Sequence, residues 1–229
     1  VAVVDALGLL MPKNSNAVKI RAVEGYGAKV YLCEPNQQSR EGTAQKIAHD
    51  NGATLIPPYN HPDIIAGQGT AALELLEDQP GLDAIIAPIG GAGLMSGTSI
   101  ASKGVKKSIR IFAAEPKGAD DAARSMAANQ LLPQTGPNTI ADGLLTGMGD
   151  LTWPIVRDHV EKIITVSDEQ IIAAMRLVWE RMKVIIEPSS ATVVAAVLGE
   201  EFKSLAGPNL RKMGVILSGG NVDLDKLPW

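Results

Sequence analysis

The chain lacks most of what would mark a stapled miniprotein, a membrane segment or a nucleic-acid binder. It has one cysteine, Cys33, in 229 residues, which excludes an intrachain disulfide framework and a thiolate zinc cluster. A single thiol fits a reducing compartment, and a cytoplasmic location is expected. Aromatic residues are only 3%, and Trp153, Trp179 and Trp229 show no stacking pattern, so they read as core or interface. No apolar run approaches the roughly 18 residues needed to span a bilayer, so no membrane association is expected. Basic charge is not in excess: 21 Lys and Arg against 25 Asp and Glu give a net charge of −4, without the basic face of a nucleic-acid binder. The three histidines, His49, His61 and His159, fall at no metal-ligand spacing. Residues 1–11 are apolar but contain Asp5 and no basic leader, unlike a signal peptide. The chain opens on Val1, so a missing upstream segment is expected.

What is present is a globular balance, with 45% hydrophobic and 20% charged residues and 23 glycines. A chain of this length can bury a sizeable core without staples. Short β-rich runs alternate with longer helical stretches. Helices are expected over 17–26, 39–51 (Ser39 as N-cap, Gly52 as stop), 66–78, from the glycines at 90–93 to about Lys103, 168–182 (capped by Ser167) and 189–203. Strands are expected over 28–33, 54–56, 82–89, 109–114, 162–166 and 213–217. Cys33 reads as a small buried hydrophobe, and 191–199 as a buried helix. The β–α alternation predicts an α/β fold, a parallel sheet with helices on both faces. The proline-rich segment 57–62 (PPYNHP) breaks regular structure and marks the boundary between a smaller piece, 1–58, and a larger one, 59–229.

Three motifs carry chemistry. Residues 87–97 read APIGGAGLMSG, a buried strand running into glycines and then a helix. Glycines let main-chain amides approach an anion, and the helix N-terminus adds partial positive charge, so a phosphate belongs there. Gly91-x-Gly93 with Ser96-Gly97 partly imitates a dinucleotide fingerprint, with Glu115 near the place of a ribose-binding acid. A glycine turn needed only for packing is the plain alternative. Residues 113–125 read AAEPKGADDAARS, with Glu115, Asp120 and Asp121 crowded within seven residues. Hard divalent cations want such oxygens, whereas the structural alternative has Asp120 capping the following helix. Residues 217–224 read LSGGNVDL, a strand ending in Ser218 and two glycines that allow close approach of a flat ligand.

Together these motifs resemble the serine racemase and serine/threonine dehydratase family of fold-type II pyridoxal-phosphate (PLP) enzymes, which have a tryptophan-synthase-β-like fold. The match also includes GYGAKVYLCEP (25–35), IIAGQGTAALELLE (64–77), TIADGL (139–144), TWPIVRD (152–158), LVWERMK (177–183) and IEPSSA (186–191), all in the family's order over about residues 11–224. The EPKGADD segment is similar to plant-type members. The resemblance implies that the main chain of Gly90, Gly91, Ala92, Gly93 and Leu94 holds the PLP phosphate and that Ser218 hydrogen-bonds the pyridine nitrogen. It implies a Mg²⁺ or Ca²⁺ site at Glu115, Asp121 and the Ala119 carbonyl, and a position near an ATP-type effector site at Asn221. The implied reaction is racemisation of serine at Cα, or β-elimination from serine or threonine to a 2-oxo acid and ammonia, in a homodimer built through the large domain.

Two departures stand out. Ala92 occupies a position where the family has glycine; its methyl is tolerable at negative φ and crowded otherwise. The S-x-K-x-R-G-like segment with the Schiff-base lysine and the S-x-G-N-H segment are absent, and none of the thirteen lysines has such a context. The chain is thus expected to hold a truncated small domain and to be impaired in catalysis. A non-catalytic family member used in binding or regulation, and a dinucleotide-binding module, are the other readings.

Overall fold

A computed structural model describes residues 7–229. The apolar stretch at 1–11 and Asp5 therefore lie partly outside the described residues. Main-chain contacts divide the chain into two units, one comprising the residues before 57 with 221–228, the other 57–220 with Trp229.

In the first unit, β1 (Gly8–Pro12), α1 (Ala17–Gly25), β2 (Lys29–Cys33) and α2 (Gln37–Asn51) follow in order. β1 and β2 form a parallel two-stranded sheet with Gly8 opposite Lys29 and Pro12 opposite Cys33. Cys33 is buried at the strand end, as a small hydrophobe should be. The N-cap of α2 is Asn36 rather than Ser39. The Asn36 Oδ1 accepts from Ser39 N, while the Ser39 hydroxyl accepts from Glu34 N. Gly52 closes the helix in the left-handed conformation. Residues 54–56 are not a strand, for no neighbouring strand bonds them.

The second unit contains a four-stranded, all-parallel sheet in the order β5-β4-β3-β6: β3 (Ala84–Pro88), β4 (Arg110–Pro116), β5 (Lys162–Val166) and β6 (Met213–Val215). β3 and β4 pair from Ala84–Arg110 to Pro88–Ala114, and β3 and β6 from Ala84–Met213 to Ile86–Val215. Its helices are α3 (Pro62–Gln68), α4 (Thr70–Asp78), α5 (Gly93–Val105), α6 (Asp121–Ala128), α7 (Thr152–His159), α8 (Asp168–Met182), α9 (Pro188–Leu198) and α10 (Glu200–Ala206). Successive strand side chains face opposite sides. Ile85, Ala87, Ile111, Ala113 and Ile163 pack with Leu76 of α4, Met95 of α5 and Val156 of α7. On the other face Phe112 meets Phe202 of α10 edge-on, with ring centroids 5.4 Å apart. Burial on both faces explains why β3 and β4 read as continuous apolar runs.

Two expected helices are each a pair. Pro62, expected to break structure, is the first residue of α3; proline suits that position, and His61 Nδ1 accepts from Asp63 N. Gly69 separates α3 from α4. Gly199, extended at ψ 154°, ends α9 and begins α10. By contrast α8 runs from Asp168 to Met182, with Ser167 and Gln170 forming a reciprocal cap. Within α8, Trp179 Nε1 donates to Ile186 O beyond the helix end, and the Trp179 and Trp229 rings meet edge-to-face at 5.3 Å and 86°. No helix among the described residues is long and apolar enough to cross a membrane.

Candidate cofactor-binding site

The carboxyl ends of parallel strands are where ligands sit in open α/β sheets. β3 delivers Gly90, Gly91 and Ala92 there, and α5 starts at Gly93. The first helical bond runs from Ser96 N to Ala92 O. Among the described residues, the amides of Gly91, Ala92, Gly93 and Leu94 meet no main-chain acceptor, although Gly91, Ala92 and Gly93 are buried. Buried donors without a partner are costly, and a bound anion would satisfy them.

The glycines are required by their neighbours. A Cβ on Gly91 would lie 2.6 Å from ring atoms of Tyr59, and one on Gly93 would lie 3.0 Å from Tyr59 Cβ. A Cβ on Gly90 would stand 3.0 Å from Leu144 Cα. Ala92, by contrast, carries its methyl at φ +65° and is 4% exposed. It adopts the left-handed conformation that costs a non-glycine residue about 1 kcal/mol, so the turn holds strain at its centre.

β6 lies beside β3 and leads to Ser218, which is exposed. The next residue is tied down: Glu187 N donates to Gly219 O at 3.0 Å. The Glu187 side chain leaves its own helix uncapped, and a Cβ on Gly219 would lie 2.9 Å from Glu187 Oε1. Gly143, in the ADGL segment, donates to Ser189 Oγ at 3.0 Å. The phosphate-type turn, the ADGL turn, the start of α9 and the Ser218 loop thus form one continuous set of contacts. Tyr59, Gly143 and Glu187 were not singled out in the sequence for this site; glycine-adjacent aromatic and acidic residues are too common to signal it. Asn221 is exposed and belongs with the first unit.

Glu115 ends β4 and is fully buried. Its oxygens accept from Ala122 N and Ala123 N, both at 2.9 Å. Glu115 therefore caps α6 through space, a role that the structural alternative gave to Asp120, whose carboxylate instead pairs with Arg124. Such burial removes Glu115 from any ribose-binding role and with it the acidic half of the dinucleotide reading. Asp121 Oδ1 accepts from Gln134 Nε2 at 2.7 Å and Oδ2 from Met148 N at 3.3 Å. Burial, opposed by these amide donors, pushes the Glu115 carboxyl up to about 8 and that of Asp121 up to about 6. Ala119 is buried in the single turn between them. Among the described residues no three His, Cys, Asp or Glu side chains converge as a metal cluster.

The sequence pattern of the family described as "Pyridoxal-phosphate dependent enzyme" matches residues 5–219. A serine racemase of Dictyostelium discoideum is 48% identical over 221 residues, covering 96% of this chain and 68% of that protein. A β-hydroxyaspartate dehydratase of Paracoccus denitrificans (strain Pd 1222) is 45% identical, covering 96% and 69%. The structure of maize serine racemase superposes with a TM-score of 0.93 at 47% identity, over 96% of this chain and 67% of that one. This chain thus spans about two-thirds of the length of these relatives. With an α/β architecture of parallel sheets and a match over nearly its whole length, the chain belongs to the pyridoxal-phosphate dependent enzymes of fold type II.

Proposed function

We propose that these 229 residues form the cofactor-holding part of a serine racemase or serine/threonine dehydratase. The observation that carries this reading is the set of amides at Gly91–Leu94 without a main-chain acceptor, those of Gly91, Ala92 and Gly93 buried, which fits the phosphate of PLP. Ser218, in the loop that follows β6, supplies a neutral hydroxyl for the pyridine nitrogen. Bound PLP supplies an electron sink that makes the Cα proton of an amino acid labile. The glycines at 90, 91 and 93 let the main chain approach the anion, with Tyr59 and Leu144 packed where side chains at these positions would otherwise stand. Serine is the proposed substrate, in line with the serine racemases among the similar proteins, and threonine is added on the family resemblance.

No lysine of this chain lies in a segment that resembles the family's Schiff-base motif. Lys103 Nζ bonds Ile109 O and Lys106 Nζ bonds Leu82 O, at the edge of the sheet opposite the glycine turn. The chain as it stands is therefore proposed to hold PLP by the phosphate alone and to deaminate serine poorly or not at all. Borohydride treatment with PLP, followed by peptide mass mapping, tests this. The expected result is saturable PLP binding, competed by inorganic phosphate, without a unique lysine adduct. A stoichiometric pyridoxyl adduct on one lysine, with pyruvate released from L-serine, would overturn it.

Glu115, Asp121 and the Ala119 carbonyl are proposed to hold Mg²⁺ or Ca²⁺. Two buried carboxyls with raised pKa values fit a cation, since each oxygen accepts one amide and retains a lone pair. A homodimer is proposed through an apolar cleft of about 360 Å³, lined by Ile65, Leu73, Ile100, Leu151 and Ile155. Sedimentation showing a clean monomer at micromolar concentration would refute it. ATP as an effector near Asn221 and a cytoplasmic location rest on the resemblance and the lone thiol.

A further inference from the structure

Thr152, the first residue of α7, is fully buried. Its hydroxyl accepts from Gly149 N at 2.9 Å, and its proton faces Gly91 O at 3.1 Å, with Gly149 O at 3.3 Å. Gly91 O lies in the middle of the glycine turn, 61 residues away in sequence. The peptide bonds among the described residues are trans, so the Gly91 carbonyl and the Ala92 N–H of one peptide plane point in opposite directions. A hydroxyl that fixes the carbonyl on the α7 side fixes the amide on the other side.

We propose that Thr152 is a positioning residue for phosphate recognition: by binding Gly91 O it aims the Ala92 amide at the anion. This rests on the assignment of the cofactor phosphate to the Gly90–Leu94 turn. The energetic scales support a role beyond packing. The left-handed conformation of Ala92 carries strain of the same order as one hydrogen bond. The Thr152 bond is a side-chain restraint on the Gly91 carbonyl, and its loss removes one tie on the orientation of the Gly91–Ala92 peptide plane. Thr152 does not touch the ligand itself; it acts through the turn.

The test compares Thr152→Val, which keeps the shape and removes the hydroxyl, with Thr152→Ser, which keeps the hydroxyl. Thr152→Ala serves as a second hydroxyl-free variant should the valine disturb folding. The probes are pyridoxine 5′-phosphate and pyridoxine, which lack the aldehyde and cannot label lysines, measured by calorimetry on the full chain. The valine or alanine variant should bind pyridoxine phosphate about tenfold more weakly, the loss of one oriented hydrogen bond, with pyridoxine affinity unchanged. The serine variant should stay within about twofold of the parent. Equal loss for both probes in the hydroxyl-free variants, or no loss for either, would overturn the positioning role. A parent chain that binds the two probes equally would instead refute the phosphate assignment, and the proposal with it.

Discussion

Gly97 of α5 lies against Gly69, the residue between α3 and α4, so closely that a Cβ on Gly97 would stand 2.5 Å from Gly69 N and 2.4 Å from Ile65 O. The atoms in the way are main chain and cannot swing aside. Gly97→Ala is therefore expected to destabilise the second unit by about 3 kcal/mol, the upper end of ordinary overpacking. Gly104, in the same helix, has nothing within 4 Å of its would-be Cβ. Gly104→Ala should stabilise by roughly 0.5–1 kcal/mol through helix propensity. Urea unfolding of the two variants checks both, and a similar midpoint for each would refute the packing argument.

Stability of the metal-free chain should fall as pH rises between about 4.5 and 8. The Glu115 carboxyl has an ordinary value of 4.5 and is pushed up to about 8 in the folded chain. Within that window the folded state retains a proton that the unfolded state has released, so raising the pH favours unfolding. The stabilisation is full below 4.5 and is lost as pH passes 8, on the order of a few kcal/mol. Asp121 adds the same sign between 3.8 and about 6. Thermal scans in EDTA should show this slope, and Glu115→Gln should flatten it. Added Mg²⁺ should restore stability at pH 8, and Asp121→Asn should abolish that restoration.

Arg110 joins three elements at the start of β4. Its Nε and Nη2 bond the two Glu161 oxygens at 2.9 and 2.5 Å. Nη1 and Nη2 also donate to Ala206 O and Leu205 O, the last carbonyls of α10, and the guanidinium lies 4.9 Å from the Phe112 ring centroid. Arg110→Met retains much of the stem but leaves Glu161 and both carbonyls without this donor. A loss of about 2 kcal/mol is expected in denaturant titration, more than a lone surface ion pair would give.

Ser218→Ala should leave the thermal midpoint unchanged, because the side chain is exposed. If Ser218 meets the pyridine nitrogen, the same change should weaken pyridoxine phosphate binding by roughly three- to tenfold. Unchanged affinity would remove Ser218 from the site.

The strands β3 and β4 and the whole of α8 were legible in the sequence, because burial on both faces and a reciprocal cap leave local signatures. So was the glycine turn. Residues 54–56 show why local pattern is insufficient: three β-prone residues need a partner strand, and none bonds them. Pro62 reads as a breaker in isolation and becomes a helix start only because His61 caps the helix. Tyr59 and Thr152 carry no local signal, since each meets the glycine turn across a long stretch of chain. Glu115 as the cap of α6 was hidden for the same reason, whereas the acidic residue in the conventional capping position, Asp120, was the one in view.

The perpendicular rings of Trp179 and Trp229 give the chain an optical consequence. Two indoles 5.3 Å apart are close enough for their transitions to couple, and a chiral offset between them would split the shared transition into a signed pair of circular-dichroism bands. Trp229→Phe would collapse the pair while leaving the helical signal untouched. The amplitude of that doublet thus reads out, in solution and without any added dye, whether Trp229 remains docked on α8.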